Sequence, residues 1–248
     1  MICLLTPTGN RLDQFQRCAE FMKRQTYDGK VVWVIVDDCV PKTTDNVTEY
    51  FRDNWIIHKV YPRPAWTYNQ NTQGRNMEAG LNAVMNYKPE AIFVIEDDDY
   101  YKAIYLERMM ANFGDYWAIG ETRTIYYNVA YRRYLVNGND AHASLFQTAI
   151  RPEAVEYMMR SNGSLFIDAE FWSKVPNKKL FHEGNLSIGI KGMPGRRGIG
   201  YGHREAMAMR MNDDCNMNYL KSIIGEDYKY YEGCFQQYKK SKDILTKW

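Results

Sequence analysis

Ala91-Ile92-Phe93-Val94-Ile95-Glu96-Asp97-Asp98-Asp99-Tyr100-Tyr101 runs five apolar residues straight into four acids and then two tyrosines. A short continuous apolar run of this kind predicts a strand buried on both faces of a sheet. The acids then fall at its carboxyl end, where open α/β sheets hold their ligands. Carboxylates this close repel one another and raise each other's pKa unless a cation sits among them. Hard oxygen donors of this type suit Mg²⁺ or Mn²⁺. Taken alone, the run reads equally well as a solvated acidic loop. What separates the two is whether the rest of the chain supplies partners for a cation.

Working outward, Ile2 to Leu5 predicts a first buried strand, and Thr6-Pro7-Thr8-Gly9-Asn10-Arg11 follows it. Leu12, Phe15, Cys18, Ala19 and Met22 recur at helical spacing, so a helix is expected to about Arg24. Val31 to Val36 predicts a second strand that also runs into acids, Asp37-Asp38. Thr43 or Thr44 can cap a helix through Val47, Phe51 and Trp55, with a third strand over Ile56 to Tyr61 and a loop from Pro62 to Asn71. From Gly74 the spacing of Met77, Leu81, Val84 and Met85 predicts another helix, ended by Lys88-Pro89. Arg75 and Asn76 lie in its first turn, where free backbone N–H groups favour anions. Strand and helix alternate down to the opening stretch, as in a mostly parallel sheet with helices on both faces. Acids at the ends of two of these strands and an arginine at a helix start thus converge on one sheet edge.

After a helix over Ile104, Leu106, Met109 and Met110 the pattern changes. Trp117 to Val136 and Ala143 to Ile150 are β-branched and aromatic without a clean period, and predict strands of a mixed region. Pro152 suits the first position of a helix over Glu153 to Met159.

The 248 residues suffice for one large domain or two small ones. Hydrophobic content of 45% and charged content of 25% are those of a globular chain, and a net charge of +2 gives no global pull toward nucleic acid or membrane. Cys3, Cys18, Cys39, Cys215 and Cys234 are odd in number and scattered, which favours reduced thiols and a cytoplasmic setting over a disulfide framework. No apolar run approaches a membrane span, and Met1-Ile2-Cys3-Leu4-Leu5 lacks the charged start of a signal peptide.

The second informative stretch is residues 188 to 204, a glycine-rich loop carrying Lys191, Arg196, Arg197 and Arg204 and holding His203 near its end. Glycines let the backbone approach a ligand closely, and the cations suit a diphosphate. His203 is a metal-ligand candidate. Asp168 and Glu170 precede the large apolar pair Phe171-Trp172, so partial desolvation is expected to raise an acid here toward the range of a general base.

Together these pieces resemble family 2 glycosyltransferases, whose fold is called GT-A. The matching residues are Thr6-Pro7-Thr8, Val34-Ile35-Val36-Asp37-Asp38, Gly74-Arg75-Asn76, the DxD-like Ile95-Glu96-Asp97-Asp98-Asp99 and the Asp168 region. The chain also looks like a bacterial and phage subgroup with the segment Gly192-Met193-Pro194-Gly195-Arg196-Arg197-Gly198-Ile199-Gly200 ending in a histidine. The resemblance implies a Rossmann-like, mostly parallel α/β sheet with helices on both faces and a smaller mixed acceptor-side region. It implies a GT-A domain over residues 1–205, with a nucleotide-sugar half at 1–115 and an acceptor half at 116–205, then a helical basic tail at 206–248. It further implies inverting, Mn²⁺- or Mg²⁺-dependent transfer of a sugar from a nucleoside diphosphate, a UDP-sugar first, in a bacterial or phage-infected cytoplasm. The acceptor would be a saccharide or a hydroxymethylated base in phage DNA. Thr6, Thr8 and Arg11 would line the donor. Asp37 or Asp38 with Arg75 would hold the base region, Asp97 the ribose, and Lys191, Arg196 and Arg197 the diphosphate. Asp98 would hold the metal with His203, Asp99 being the rival register. Asp168 would be the base, with Glu170 its rival. A non-catalytic nucleotide or nucleic-acid binding module, or a nucleotidyltransferase on a similar sheet, remains the alternative class.

Overall fold

The computed structural model describes residues 1–42, 44, 51–67, 70–194 and 203–245, with side chains through 240. The chain forms two compact units. The first comprises Met1–Thr124 and Gly138–Ser187, the second Ile125–Asn137 and Ile188–Trp248. These units cut the chain at other points than the divisions expected at 115 and 205.

In the first unit the elements in order are β1 (Ile2–Thr8), α1 (Leu12–Lys23), β2 (Val31–Asp37), β3 (Trp55–Val60), α2 (Gln73–Met85), β4 (Ala91–Val94), β5 (Tyr100–Tyr101), α3 (Tyr105–Asn112) and β6 (Ala118–Glu121). The chain passes through β7 (Ile125–Asn128) and β8 (Arg133–Val136) of the second unit. It returns for β9 (Thr148–Ile150), α4 (Val155–Ser161), α5 (Ile167–Lys174) and β10 (Lys178–Phe181). A seven-stranded sheet results, in the order β10-β6-β9-β4-β1-β2-β3. β4, β1, β2 and β3 are mutually parallel, as are β10 and β6, while β9 runs antiparallel between β4 and β6.

All seven residues of β2 are buried, which explains its unbroken apolar run. Alternate side chains feed two layers. Val32, Val34 and Val36 join Met77, Leu81 and Val84 of α2 in one core, and Trp33 meets Phe15 of α1 at 5.5 Å on the other face. Gly80 lets α2 lie close over the sheet: a Cβ there would sit 2.1 Å from Leu5 Cδ1.

The second unit continues with β11 (Ser187–Lys191), α6 (Glu205–Ala208), β12 (Asn212–Asp213), α7 (Asn218–Ile224) and α8 (Tyr228–Leu245). β12, β8, β7 and β11 lie side by side, β7 and β11 parallel.

Several sequence expectations change. Most of the helix expected from Thr43 or Thr44 lies outside the described residues, and its expected end, Trp55, is the first residue of β3. Residues 188–191 form a strand with Ile188 and Ile190 buried, so the glycine-rich loop starts only after Lys191. β10 gave no sequence signal. The helix expected directly at Pro152 begins as a 3₁₀ turn over Pro152–Ala154. None of the five cysteines is in a disulfide, and no helix among the described residues is long and apolar enough to cross a membrane.

Candidate active site

The strand order β3-β2-β1-β4 means that the chain leaves β1 in one direction along the sheet and later returns to β1's other side as β4. Such a switch point opens a crevice at the carboxyl ends of the two central strands. Pro7 deepens it. Leu5 presents its carbonyl to β4, accepting from Ile95 N at 2.9 Å, whereas Thr8 presents its carbonyl to β2, accepting from Asp38 N at 3.3 Å. Backbone direction alternates along a strand, so Pro7 faces the side that β4 is leaving, where its missing N–H breaks no ladder bond.

Just beyond β4, Asp99 N donates to Glu96 O at 3.4 Å, closing a turn with Asp97 and Asp98 at its centre. Asp is at home in such turns. Glu96 N donates to the Tyr101 hydroxyl at 2.8 Å, and Gln73 Nε2 donates to Glu96 Oε1 at 2.8 Å. The turn is therefore fixed by its own backbone, a buried tyrosine and the first turn of α2.

Two residues from the end of β1 reach across the crevice. The Thr8 hydroxyl donates to Asp97 Oδ2 at 2.6 Å, and Arg11 Nη1 donates to Asp97 Oδ1 at 2.6 Å. The same Nη1 lies 3.4 Å from Asp98 Oδ2. Burial pushes the Asp97 carboxyl up, while Arg11 and Thr8 pull it back. Burial also opposes the Arg11 charge, but Asp97 and Asp98 outweigh it and raise the guanidinium's pKa. The cation that the acid run called for is thus partly supplied by the chain itself. Asp97 carries a partner on each oxygen, and Asp99 is buried. Asp98, with a side chain 10% exposed, is the member of the three aspartates that reaches furthest toward solvent.

At the end of β2 the two acids part, Asp37 being its last residue and Asp38 the first beyond it. Asp37 Oδ1 accepts from Cys39 N at 3.0 Å, and Oδ2 accepts from the backbone N and hydroxyl of Thr44, both at 3.1 Å. It fixes the following loop. Asp38 turns to the start of α2: its Oδ2 accepts from the Thr72 hydroxyl and from Asn76 Nδ2 at 2.7 Å, with Arg75 Nη2 at 3.6 Å. Arg75 Nη1 donates to the Pro64 carbonyl at 2.8 Å. Thr6 is enclosed and accepts from the Trp33 indole at 2.9 Å.

Gly74 ties this helix start to the segment before Asp168, since a Cβ there would lie 1.9 Å from the Asn162 carbonyl oxygen. α5 is seated in turn by Trp172, whose indole donates to the Thr148 hydroxyl at 3.2 Å and packs where a Gly120 Cβ would be. Asp168 lies in the first turn of α5, with Oδ1 accepting from Ala169 N at 2.9 Å. The raised pKa expected in this segment is not met at Glu170. That acid pairs with Lys174 one turn on, which holds its carboxyl below the usual range.

The structure therefore brings Thr8, Arg11, Asp97 and Asp98 together, and separately Asp38 with Arg75. In the second unit, Gly192 N lies 3.5 Å from His203 Nδ1, and Lys191 Nζ stands 5.8 Å over the Tyr126 ring. Arg196 and Arg197 lie outside the described residues. Among the described residues no group of three or more His, Cys, Asp or Glu side chains is placed to hold a metal ion. The hard carboxylates at the turn nonetheless fit Mg²⁺ or Mn²⁺, since such ions are commonly held by one or two carboxylates and completed by water and substrate phosphate. Sequence reasoning missed Thr72, Gln73 and Tyr101. A threonine just ahead of a helix start was the available signal for the first, whereas nothing local marks the other two.

The family model described as "Glycosyl transferase family 2" matches residues 3–191, from β1 through β11. No curated protein matches the chain significantly. Among solved structures, S. aureus TarS 1-349 in complex with UDP is similar at 13% identity and a TM-score of 0.54, over 76% of this chain and 60% of that one. The same protein in complex with UDP-GlcNAc is similar at 12% identity and a TM-score of 0.53, over 81% of this chain and 60% of that one. The chain thus spans 60% of the length of these solved chains, and the likeness is one of fold. With a family match covering most of its length and a mostly parallel sheet whose switch point carries the acid turn, the chain belongs to glycosyl transferase family 2.

Proposed function

We propose that this protein is a metal-dependent, inverting glycosyltransferase that moves a sugar from a nucleoside-diphosphate sugar to an acceptor hydroxyl. The observation that carries the reading is the acid turn Glu96–Asp99 at the β1/β4 switch point, inside the span of the family match. A UDP-sugar is the first donor to test, because the similar TarS structures hold UDP and UDP-GlcNAc. Arg75, held by Asp38 and Pro64, contacts the nucleotide's base region, and Asp97 accepts from the ribose through lone pairs left beside Thr8 and Arg11. Asp98, or Asp99 in the rival register, would hold Mn²⁺ or Mg²⁺. Such an ion, when bound, neutralises charge developing on the departing diphosphate.

Asp168 takes the proton of the acceptor hydroxyl. The acceptor oxygen forms the new bond to the anomeric carbon as the bond to the diphosphate oxygen breaks, and the electron pair leaves with the nucleotide. Glu170 is the weaker candidate for this step, since a carboxyl held low by Lys174 is a poorer base.

The acceptor is a saccharide rather than a modified base in DNA. Of the cations that a DNA acceptor would meet (Arg132, Arg133, Arg196, Arg197 and the lysines of the tail), Arg132 and Arg133 already have partners within the chain. Arg132 donates to the Cys215 carbonyl and covers the Phe235 ring at 4.2 Å, and Arg133 pairs with Asp213 at 2.7 Å. Scattered cysteines, none of them in a disulfide, favour a cytoplasmic setting.

The test is Asp168→Asn, which is expected to keep donor binding and to lose transfer by ~10²–10⁴-fold, the usual contribution of a positioned base. Normal transfer by this variant would remove Asp168 from the base role. Acceptor affinity that falls steeply with salt would favour DNA over a saccharide.

A further inference from the structure

Arg11 occupies an unusual place. It is the residue immediately before α1, where the helix dipole favours negative charge, and its side chain makes no capping bond to the helix. The dipole of α1 does not favour a cation there. Its position is set instead by the acid turn on the neighbouring strand, through Asp97 at 2.6 Å and Asp98 at 3.4 Å. The side chain is only 15% exposed, so the charge is weakly screened by solvent. It also touches both the acid that Thr8 holds and Asp98, the aspartate of the turn most open to solvent.

We propose that Arg11 is the resident counter-charge of the turn: it positions Asp97 and Asp98, and it lowers the turn's affinity for a divalent cation, which must share those carboxylates with a guanidinium. This rests on the reading of the turn as a cation site, but on neither the sugar nor the acceptor. The consequence is a site tuned to bind its ion weakly alone and more tightly when a diphosphate adds negative charge. Ion and donor would then load together.

The experiment is a Mn²⁺ titration followed by electron paramagnetic resonance, without nucleotide, on wild type, Arg11→Gln, Arg11→Met and Arg11→Lys. The neutral variants are expected to bind Mn²⁺ about tenfold more tightly, the scale of one unit charge acting across a few ångströms of partly solvated cleft. Arg11→Lys, which restores the charge, is expected to return toward wild type, and Asp98→Ala placed on Arg11→Gln to abolish the gain. A residue that merely braced the turn would give the opposite sign, since losing it would loosen the carboxylates and weaken the ion. Neutral variants that bind Mn²⁺ no more tightly than wild type overturn the proposal. So does loss of the folded state in both neutral variants, which would leave Arg11 a purely structural role. If the affinities fall in the expected order but no nucleotide sugar is ever turned over, the transferase reading fails and this one stands.

Discussion

Replacing Gly74 by alanine should damage both the fold and the site, because the position is closed by backbone rather than by a movable side chain. An added Cβ would lie 1.9 Å from the Asn162 carbonyl oxygen and 2.9 Å from its carbonyl carbon. Non-bonded contacts settle nearer ~3.5 Å, so the start of α2 or the end of α4 must move by more than about 1 Å. Overpacking of this sort costs ~1–3 kcal/mol, against which the better helix propensity of alanine returns at most ~1 kcal/mol. The displaced turn also carries Asn76 and Thr72, whose bonds to the buried Asp38 are of the charge-assisted kind worth ~1.5–3 kcal/mol each. A net loss of ~2–4 kcal/mol is expected, read as a lower urea midpoint, and nucleotide affinity should fall with it because Arg75 sits in the same turn. Gly80→Ala is the control. Its obstructions are side-chain atoms, Leu5 Cδ1 at 2.1 Å and Val36 Cγ2 at 2.9 Å, rather than backbone, so the loss should be smaller and nucleotide affinity largely kept. A Gly74→Ala protein as stable as wild type, or more stable than Gly80→Ala, would refute the account of how α2 is seated.

Thr8→Val should destabilise by ~1.5–3 kcal/mol, because it leaves Asp97 Oδ2 without its donor from β1 inside a buried site; urea unfolding reads the loss directly. Glu121 gives the pH test. It is buried at the end of β6 and accepts from Leu186 N at 2.7 Å and Glu183 N at 3.3 Å, yet burial dominates and raises its pKa from the ordinary 4.5. Because the folded value is the higher one, the folded state holds this proton more tightly than the unfolded chain. The resulting stability is complete below about 4.5 and is lost as pH rises through the folded value. Glu121→Gln cannot ionise and should flatten that fall in a series of urea midpoints against pH. An unchanged slope would contradict the assignment.

β1, β2 and β4 were legible because parallel strands buried on both faces give continuous apolar runs. The acids at the ends of β2 and β4 were visible for the same reason, as charge where the apolar run stops. Their division of labour was not. Asp37 and Asp38 look alike in sequence, but β2 ends between them, and one turns to Thr44 and the other to α2. Arg11 read as one more donor-lining residue, since nothing in local spacing says which cation will meet acids on another strand. β10 was missed because all four of its residues are half-buried and two are lysines, which erases the period. β11 was read as loop because Gly189 separates Ile188 from Ile190, although both isoleucines are fully buried in a strand.

The central claim is that the turn beyond β4 is the metal-assisted donor site of a sugar transferase. Its most direct test is turnover of a panel of UDP-sugars, with and without acceptor, by wild type and Asp98→Ala in Mn²⁺ and in EDTA. The account predicts release of UDP by wild type in Mn²⁺, abolished by EDTA and by Asp98→Ala, with both proteins equally folded by circular dichroism. UDP release by Asp98→Ala equal to that of wild type in Mn²⁺ would contradict it.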